Sequence, residues 1–310
     1  MIQRKGAMMN EFRYTNPITR DPAMSMRDHQ ILKVEDRWYM TGTSAPYWEG
    51  PSPGVRLFSS TNLLDWKFEN WLIDSAKLAD DCFYKGRFWA PEIHRAHGRF
   101  WLTVNTGHYG PDHADSYMDG HSVVLFVADQ ITGPYELVSK NGPVCPYFKN
   151  DASLFTDDDG RSYLYCSSGG LWQSGIDLAN GRLIGGDDVR KIVGPRDPGN
   201  PDWMIGGIEG PFVIKRAGEY FLFFSAWTRG YEIGVLKAPT PLGPWTLTPN
   251  SPTPPRTPRN SSTRCRNWAL NRSSSAMAYS SPTAQPGPSR ESVCRGRNGG
   301  SEKQLRRKDE

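Results

Sequence analysis

One unit recurs four times across the first 245 residues. DRWYMTGTS (36–44), GRFWLTVNT (98–106), GRSYLYCSS (160–168) and GEYFLFFSA (218–226) each set aromatic and alternating apolar residues behind a turn containing Gly or Asp, with starts 62, 62 and 58 residues apart. Period-two patterning behind a tight turn predicts a strand. A shorter apolar string precedes each one (HQILKV, APEIHRA, DASLFT, GPFVIKR). Two more follow: VRLFSS with LDWKFE, SVVLFVA with GPYELV, LWQSGID with GRLIGG, and YEIGVLKA with GPWTLT. Each unit is expected to be a four-stranded antiparallel sheet. A sheet that is apolar on both faces cannot cover itself, and such sheets repeated at a fixed period stack into a ring. The expected class is all-β, a β-propeller with four recognisable blades; the regular period argues against a sandwich.

The pattern stops abruptly after PLGPWTL. Residues 246–310 hold 12 Lys+Arg against 4 Asp+Glu, with 8 Pro, 11 Ser, one Val and neither Ile nor Phe. A chain so poor in β-branched and aromatic residues cannot bury enough surface to offset the entropy of ordering. The expected division is therefore a propeller over residues 1–247 and a disordered, basic Ser/Pro/Arg-rich tail over 248–310, standing where a fifth blade would be. A changed reading frame at the 3′ end of the gene accounts for so sharp a break. The formal net charge of +4 belongs to this tail, and since only two aromatics, Trp268 and Tyr279, lie among its arginines and no motif appears, no nucleic-acid partner is expected. No run approaches the roughly 18 apolar residues of a membrane span, so no membrane partner is expected. The N-terminus lacks the apolar stretch of a secretion signal, which makes the expected location cytoplasmic as written and extracytoplasmic if the start is mis-assigned. The five cysteines are odd in number and without CxxC spacing, and are expected to be free thiols.

In a propeller the first strand of each blade lines the central channel, so residues far apart in sequence gather round one axis. The acids near that position are Asp21 (TRDPAM), Glu92 (WAPEIH), Asp151 (KNDASLF) and Glu209 (GIEGPF), lying 15, 6, 9 and 9 residues ahead of their aromatic turns. One carboxylate per blade is expected to point inward. Like charges converging on a funnel raise at least one pKa, a burden that a working site can use.

The strings NPITRDPAM, GVRLFSSTNLLDWKF, GRFWAPEIH, NDASLFTDDDGRSYL, ITGPYELV, GIEGPFVIKRAGEYFLFFS and YEIGVLKAPTPLGPW, running from about Asn16 to Trp245, together resemble glycoside hydrolase family 43, the five-bladed propeller arabinosidases, xylosidases and arabinanases. The resemblance implies an inverting glycosidase acting on arabinose- or xylose-containing oligo- or polysaccharides, of α-L-arabinofuranosidase or β-xylosidase type. It makes Asp21 the general base, Glu209 the general acid and Asp151 the third carboxylate that tunes and orients the acid. Inversion suits these residue types: one carboxylate stays ionised to activate water, and another stays protonated to donate to the leaving oxygen.

Sugar rings stack on flat apolar surfaces, which nominates Trp89, Trp48 and Tyr47 as substrate contacts; Arg229 is a candidate hydroxyl donor. Glu92 is a further pocket residue, more naturally a buried hydrogen-bonding acid. The carbohydrate is the only expected partner and the protein is expected to be a monomer. No metal or cofactor is expected. Asp157–Gly160 reads as a hairpin turn rather than a calcium loop, and the His/Asp-rich segment 108–121 as a substrate-rim loop. The resemblance also implies an axial calcium held through a fifth-blade histidine, which this chain lacks. The alternative function is a carbohydrate-binding propeller without catalysis.

Overall fold

The structure, a computed structural model, describes residues 24–47, 51–108, 122–138, 142–144, 150–184 and 189–248. The tail, Asp21, Trp48 and the segment 109–121 lie outside these residues.

Four antiparallel sheets follow one another along the chain, each in simple sequence order. Blade one comprises β1 (Met26–Val34), β2 (Arg37–Ser44), β3 (Gly54–Ser60) and β4 (Lys67–Asp74). Blade two comprises β5 (Gly86–Ala96), β6 (Arg99–His108), β7 (Ser122–Ala128) and β8 (Glu136–Leu137). Blade three has β9 (Asn150–Thr156), β10 (Ser162–Ser167), β11 (Leu171–Asp177) and β12 (Arg182–Leu183), and a short β13 (Arg190–Val193) that also pairs with β11. Blade four is β14 (Ile208–Arg216), β15 (Glu219–Ala226), β16 (Glu232–Ala238) and β17 (Thr246–Leu247). The repeat seen in the sequence is thus a blade repeat. Only β13 was unsignalled, because RKIV is too short and too charged to show a period.

Alternation along the strands explains why the sheets stack. In β7, Val124 and Phe126 enter the core shared with blade one, beside Val55, Leu57 and Leu102. Val123, Leu125 and Val127 enter the core shared with blade three, beside Leu154 and Leu164. In blade three, Tyr163 and Tyr165 face the opposite way and meet Tyr220, Leu222 and Phe224 of blade four. Of the four aromatics whose place in the repeat suggests blade packing, Trp101 and Tyr163 are buried in these cores, while Trp66 and Phe223 are only partly buried. Burying each such side chain contributes about 1.5–3 kcal/mol, and each sheet obtains this only from a neighbour.

The first strands of successive blades adjoin: β1 lies against β5, β5 against β9, and β9 against β14. Among the described residues, no comparable contact joins β14 back to β1. The turn Asp157–Gly160 closes the β9–β10 hairpin, with Gly160 N–H donating to Asp157 O at 2.9 Å. It also cross-links blades: Lys215 Nζ of β14 meets Asp157 Oδ1 at 2.6 Å, and the Tyr220 hydroxyl donates to Asp157 Oδ2.

Candidate active site

Every innermost strand is irregular at the same place. Two residues oppose one between Arg27 and Gln30, Trp89 and Glu92, Asn150 and Ser153, and Glu209 and Phe212. The first residue of each extra pair has a positive φ: Asp28 at +52°, Ala90 at +43°, Asp151 at +51° and Gly210 at +62°. These are β-bulges, which turn a side chain out of the pleat. The sequence suits them. Pro91 and Pro211 occupy second bulge positions, where a missing N–H is tolerated, and Asp adopts the left-handed region more readily than most residues. Opposite the blade-one bulge stands Gly42, where a Cβ would come within 2.5 Å of Arg27 O.

The bulges bring together Asp28, Asp151 and Glu209. Asp151 is pushed well above the ordinary carboxylate range, first by burial and then by the charges of Glu209, Asp28 and Glu92; a hydrogen bond from Gly210 N–H opposes the shift. Its Oδ2 accepts that bond at 3.0 Å and lies 3.4 Å from Ser167 Oγ. Glu209 is also raised, by burial and by the charge of Asp28, with the Tyr231 hydroxyl and Arg27 pulling the other way. Tyr231 itself is pushed up to about 12 by burial and by Glu209. Asp28 Oδ2 accepts from Thr43 Oγ1 at 2.6 Å.

The acids do not share one register, contrary to the sequence-based expectation. Asp151 fills the first bulge position, Glu209 precedes it in blade four, and Glu92 follows it by two residues in blade two. From blade one, the carboxylate that joins the cluster among the described residues is Asp28, which the sequence reading passed over for Asp21. Tyr231 and Arg27 were passed over too. Both sit where no local motif marks them, and only the fold brings them to Glu209.

Two of the sequence-nominated residues are buried. Glu92 is 6% exposed; its Oε2 lies 3.1 Å from His94 Nε2 and has no hydrogen-bond partner among the described residues. Trp89 is 8% exposed; its indole N–H donates to Tyr47 O at 2.9 Å, anchoring the loop after β2 rather than offering a face to solvent. Tyr47 is nearer the cleft: its hydroxyl is 2.9 Å from Ser25 Oγ, and the Arg27 guanidinium lies 5.8 Å from its ring centroid. Arg229 is exposed and gives Nε and Nη2 to the buried carboxylate of Glu232, at 3.1 and 2.9 Å.

A family model described as "Glycosyl hydrolases family 43" matches residues 14–273. The chain belongs to this family. Family 43 membership agrees with the blade architecture, and the match continues past β17 into the tail. Among family relatives, the chain is 30% identical over 218 residues to "Xylosidase/arabinosidase 43B" of Humicola insolens, covering 66% of this chain and 36% of that protein. It is 29% identical over 203 residues to "Beta-D-galactofuranosidase xynD" of Aspergillus niger, covering 62% and 55%. The chain thus spans roughly a third to a half of these curated relatives. A solved "thermostable family-43 glycoside hydrolase" superposes with a TM-score of 0.61 at 26% identity, covering 77% of this chain and 76% of that one.

The fifth-blade position through which the family resemblance would hold an axial calcium lies outside the described residues. No group of three or more His, Cys, Asp or Glu among them is arranged to hold a metal. His94, on the innermost strand of blade two, has Nε2 accepting from Leu154 N–H at 3.2 Å.

Proposed function

We propose that the chain is an inverting glycosidase hydrolysing O-glycosidic bonds of arabinose- or xylose-containing oligo- or polysaccharides, with Asp28 rather than Asp21 as general base. Glu209 is the general acid, and Asp151 is the third carboxylate. Inversion needs a proton on one carboxyl group and none on its counterpart, so that a water activated by the base attacks the anomeric carbon as the acid protonates the leaving oxygen. What carries this reading is the convergence of three carboxylates from separate blades, with Asp151 raised by burial and by the charges of Glu209 and Asp28, and Glu209 by burial and the charge of Asp28. Such clustering is costly to a fold and is characteristic of sites that handle protons. Asp28 supports the assignment by position: it occupies the same bulge position as Asp151, within charge range of Asp151 and Glu209.

The likeness to the Humicola insolens xylosidase/arabinosidase supports a pentosidase, of α-L-arabinofuranosidase or β-xylosidase type. Relative rates on nitrophenyl α-L-arabinofuranoside and β-D-xyloside decide between the two, and proton NMR of the first-released anomer tests inversion. Turnover that survives Glu209→Ala, or a product of retained configuration, overturns the proposal. The second reading is a carbohydrate-binding propeller without turnover, favoured by the lack, among the described residues, of a contact between β14 and β1 comparable to those joining the other innermost strands. It predicts calorimetric binding of the same oligosaccharides with no hydrolysis, unaffected by Asp28→Asn.

A further inference from the structure

From the hydrogen-bond chain that runs from the Ala90 amide through Thr43 to Asp28, we infer that Thr43 is the positioning residue of the blade-one carboxylate. This rests on the glycosidase reading above. Thr43 sits on β2 opposite Arg27, beside the bulge that carries Asp28, and is 2% exposed. Its Oγ1 accepts from Ala90 N–H of blade two at 2.8 Å and lies 2.6 Å from Asp28 Oδ2.

The direction of the second bond is forced. A backbone amide can only donate, so it occupies the acceptor side of the hydroxyl and turns the single O–H toward the carboxylate. Asp28 Oδ2 must accept. A hydroxyl polarised by one bond makes a stronger second one. The carboxyl group is thereby held in one rotamer, placed as a general base must be.

The other blades supply a comparison. The positions matching Thr43, each opposite the residue before its bulge, are Asn105, Ser167 and Ser225. The two blades whose bulge residue is an aspartate carry a hydroxyl there, and Ser167 Oγ approaches Asp151 Oδ2 at 3.4 Å. In blade three the next bulge amide, Gly210 N–H, is taken by Asp151 itself. In blade one the corresponding amide is taken by Thr43, which leaves Asp28 free to face the substrate. The same amide-capping role is thus filled by the carboxylate in one blade and by the hydroxyl in the other.

The test compares Thr43→Val, which keeps the shape and removes the donor, with Thr43→Ser, which keeps the donor. Hydrogen bonds to charged groups contribute enough that kcat is expected to fall about ten- to a hundredfold in the valine variant. KM should stay within about twofold, and Thr43→Ser should restore kcat. Crystal structures supply a readout that needs no turnover: one Asp28 rotamer in the parent and the serine variant, more than one in the valine variant. Wild-type kcat with a single Asp28 rotamer in Thr43→Val overturns the inference, while activity persisting in Asp28→Asn overturns the assignment of Asp28 as general base instead. Should the valine chain not fold, Thr43→Ala repeats the measurement. A fold that survives only with Ser or Thr shows the residue to be structural and also overturns the inference.

Discussion

Replacing Asp28 by Asn isolates chemistry from architecture. The amide keeps the shape of the carboxylate, and its Oδ1 can accept from Thr43 Oγ1 as Asp28 Oδ2 does at 2.6 Å, so the bulge and the contact between blades one and two persist. What disappears is the ability to take a proton from water. Losing a positioned general base costs typically 10²- to 10⁴-fold, or about 3 to 5.5 kcal/mol at 1.36 kcal/mol per decade. Steady-state kcat/KM on the nitrophenyl arabinofuranoside and xyloside should fall by that factor in Asp28→Asn, with the melting temperature nearly unchanged. Asp21→Asn, measured in parallel, should stay within about threefold of wild type, because a second base has no place in a single inverting displacement. The reasoning is refuted by the reverse pattern, in which Asp21→Asn abolishes turnover and Asp28→Asn leaves it within tenfold.

Two further outcomes follow from the raised pair. Asp151 and Glu209 both have folded-state pKa values above their unfolded ones, so their contribution to stability is greatest below the unfolded values, near pH 4, and is lost as pH rises through the folded values. Asp151→Asn should therefore raise the melting temperature at pH 7 relative to pH 4, as read by calorimetry at both pH values. Tyr231→Phe should move the alkaline limb of kcat/KM, set by the Glu209 carboxyl, to higher pH, since the Tyr231 hydroxyl holds Glu209 down; a limb that stays in place or falls removes Tyr231 from the site.

Blade architecture was legible because it is written in local alternation, strand after strand, and every predicted third-strand string became a strand. Glu209 and Asp151 were legible because the strings around them are distinctive. Asp28 was not, although a usable signal existed. Counting from each bulge residue to the end of its innermost strand gives six residues for Asp28, Ala90 and Gly210, and five for Asp151. Asp21 stands thirteen residues from the end of β1, so its longer separation from the aromatic turn already marked it as the exception among the four acids. Tyr231 and Thr43 were beyond reach for a different reason. Each acts through a partner in another strand or blade, and nothing in a linear pattern of aromatic and apolar residues encodes which hydroxyl will face which carboxylate.

The bulges also explain why site and stability cannot be tuned separately in this fold. A bulge frees a backbone N–H from its own ladder, and a buried free amide costs about 1–3 kcal/mol unless it is capped. Here the caps come from the preceding blade: Thr43 for Ala90 N–H, Asp151 for Gly210 N–H. Two of the bonds between blades are therefore also bonds that orient Asp28 and Asp151. Asp151 is held by a bond that favours its charge while burial and its acidic neighbours oppose that charge, so the blade-three to blade-four junction carries an electrostatic load that an apolar junction would not. Leu171 and Leu222, fully buried in the core between those two blades, belong to the apolar packing that offsets it. A ring built from repeated sheets can carry such a load at one end of its innermost strands because the two apolar faces of each blade are packed elsewhere along the same strands.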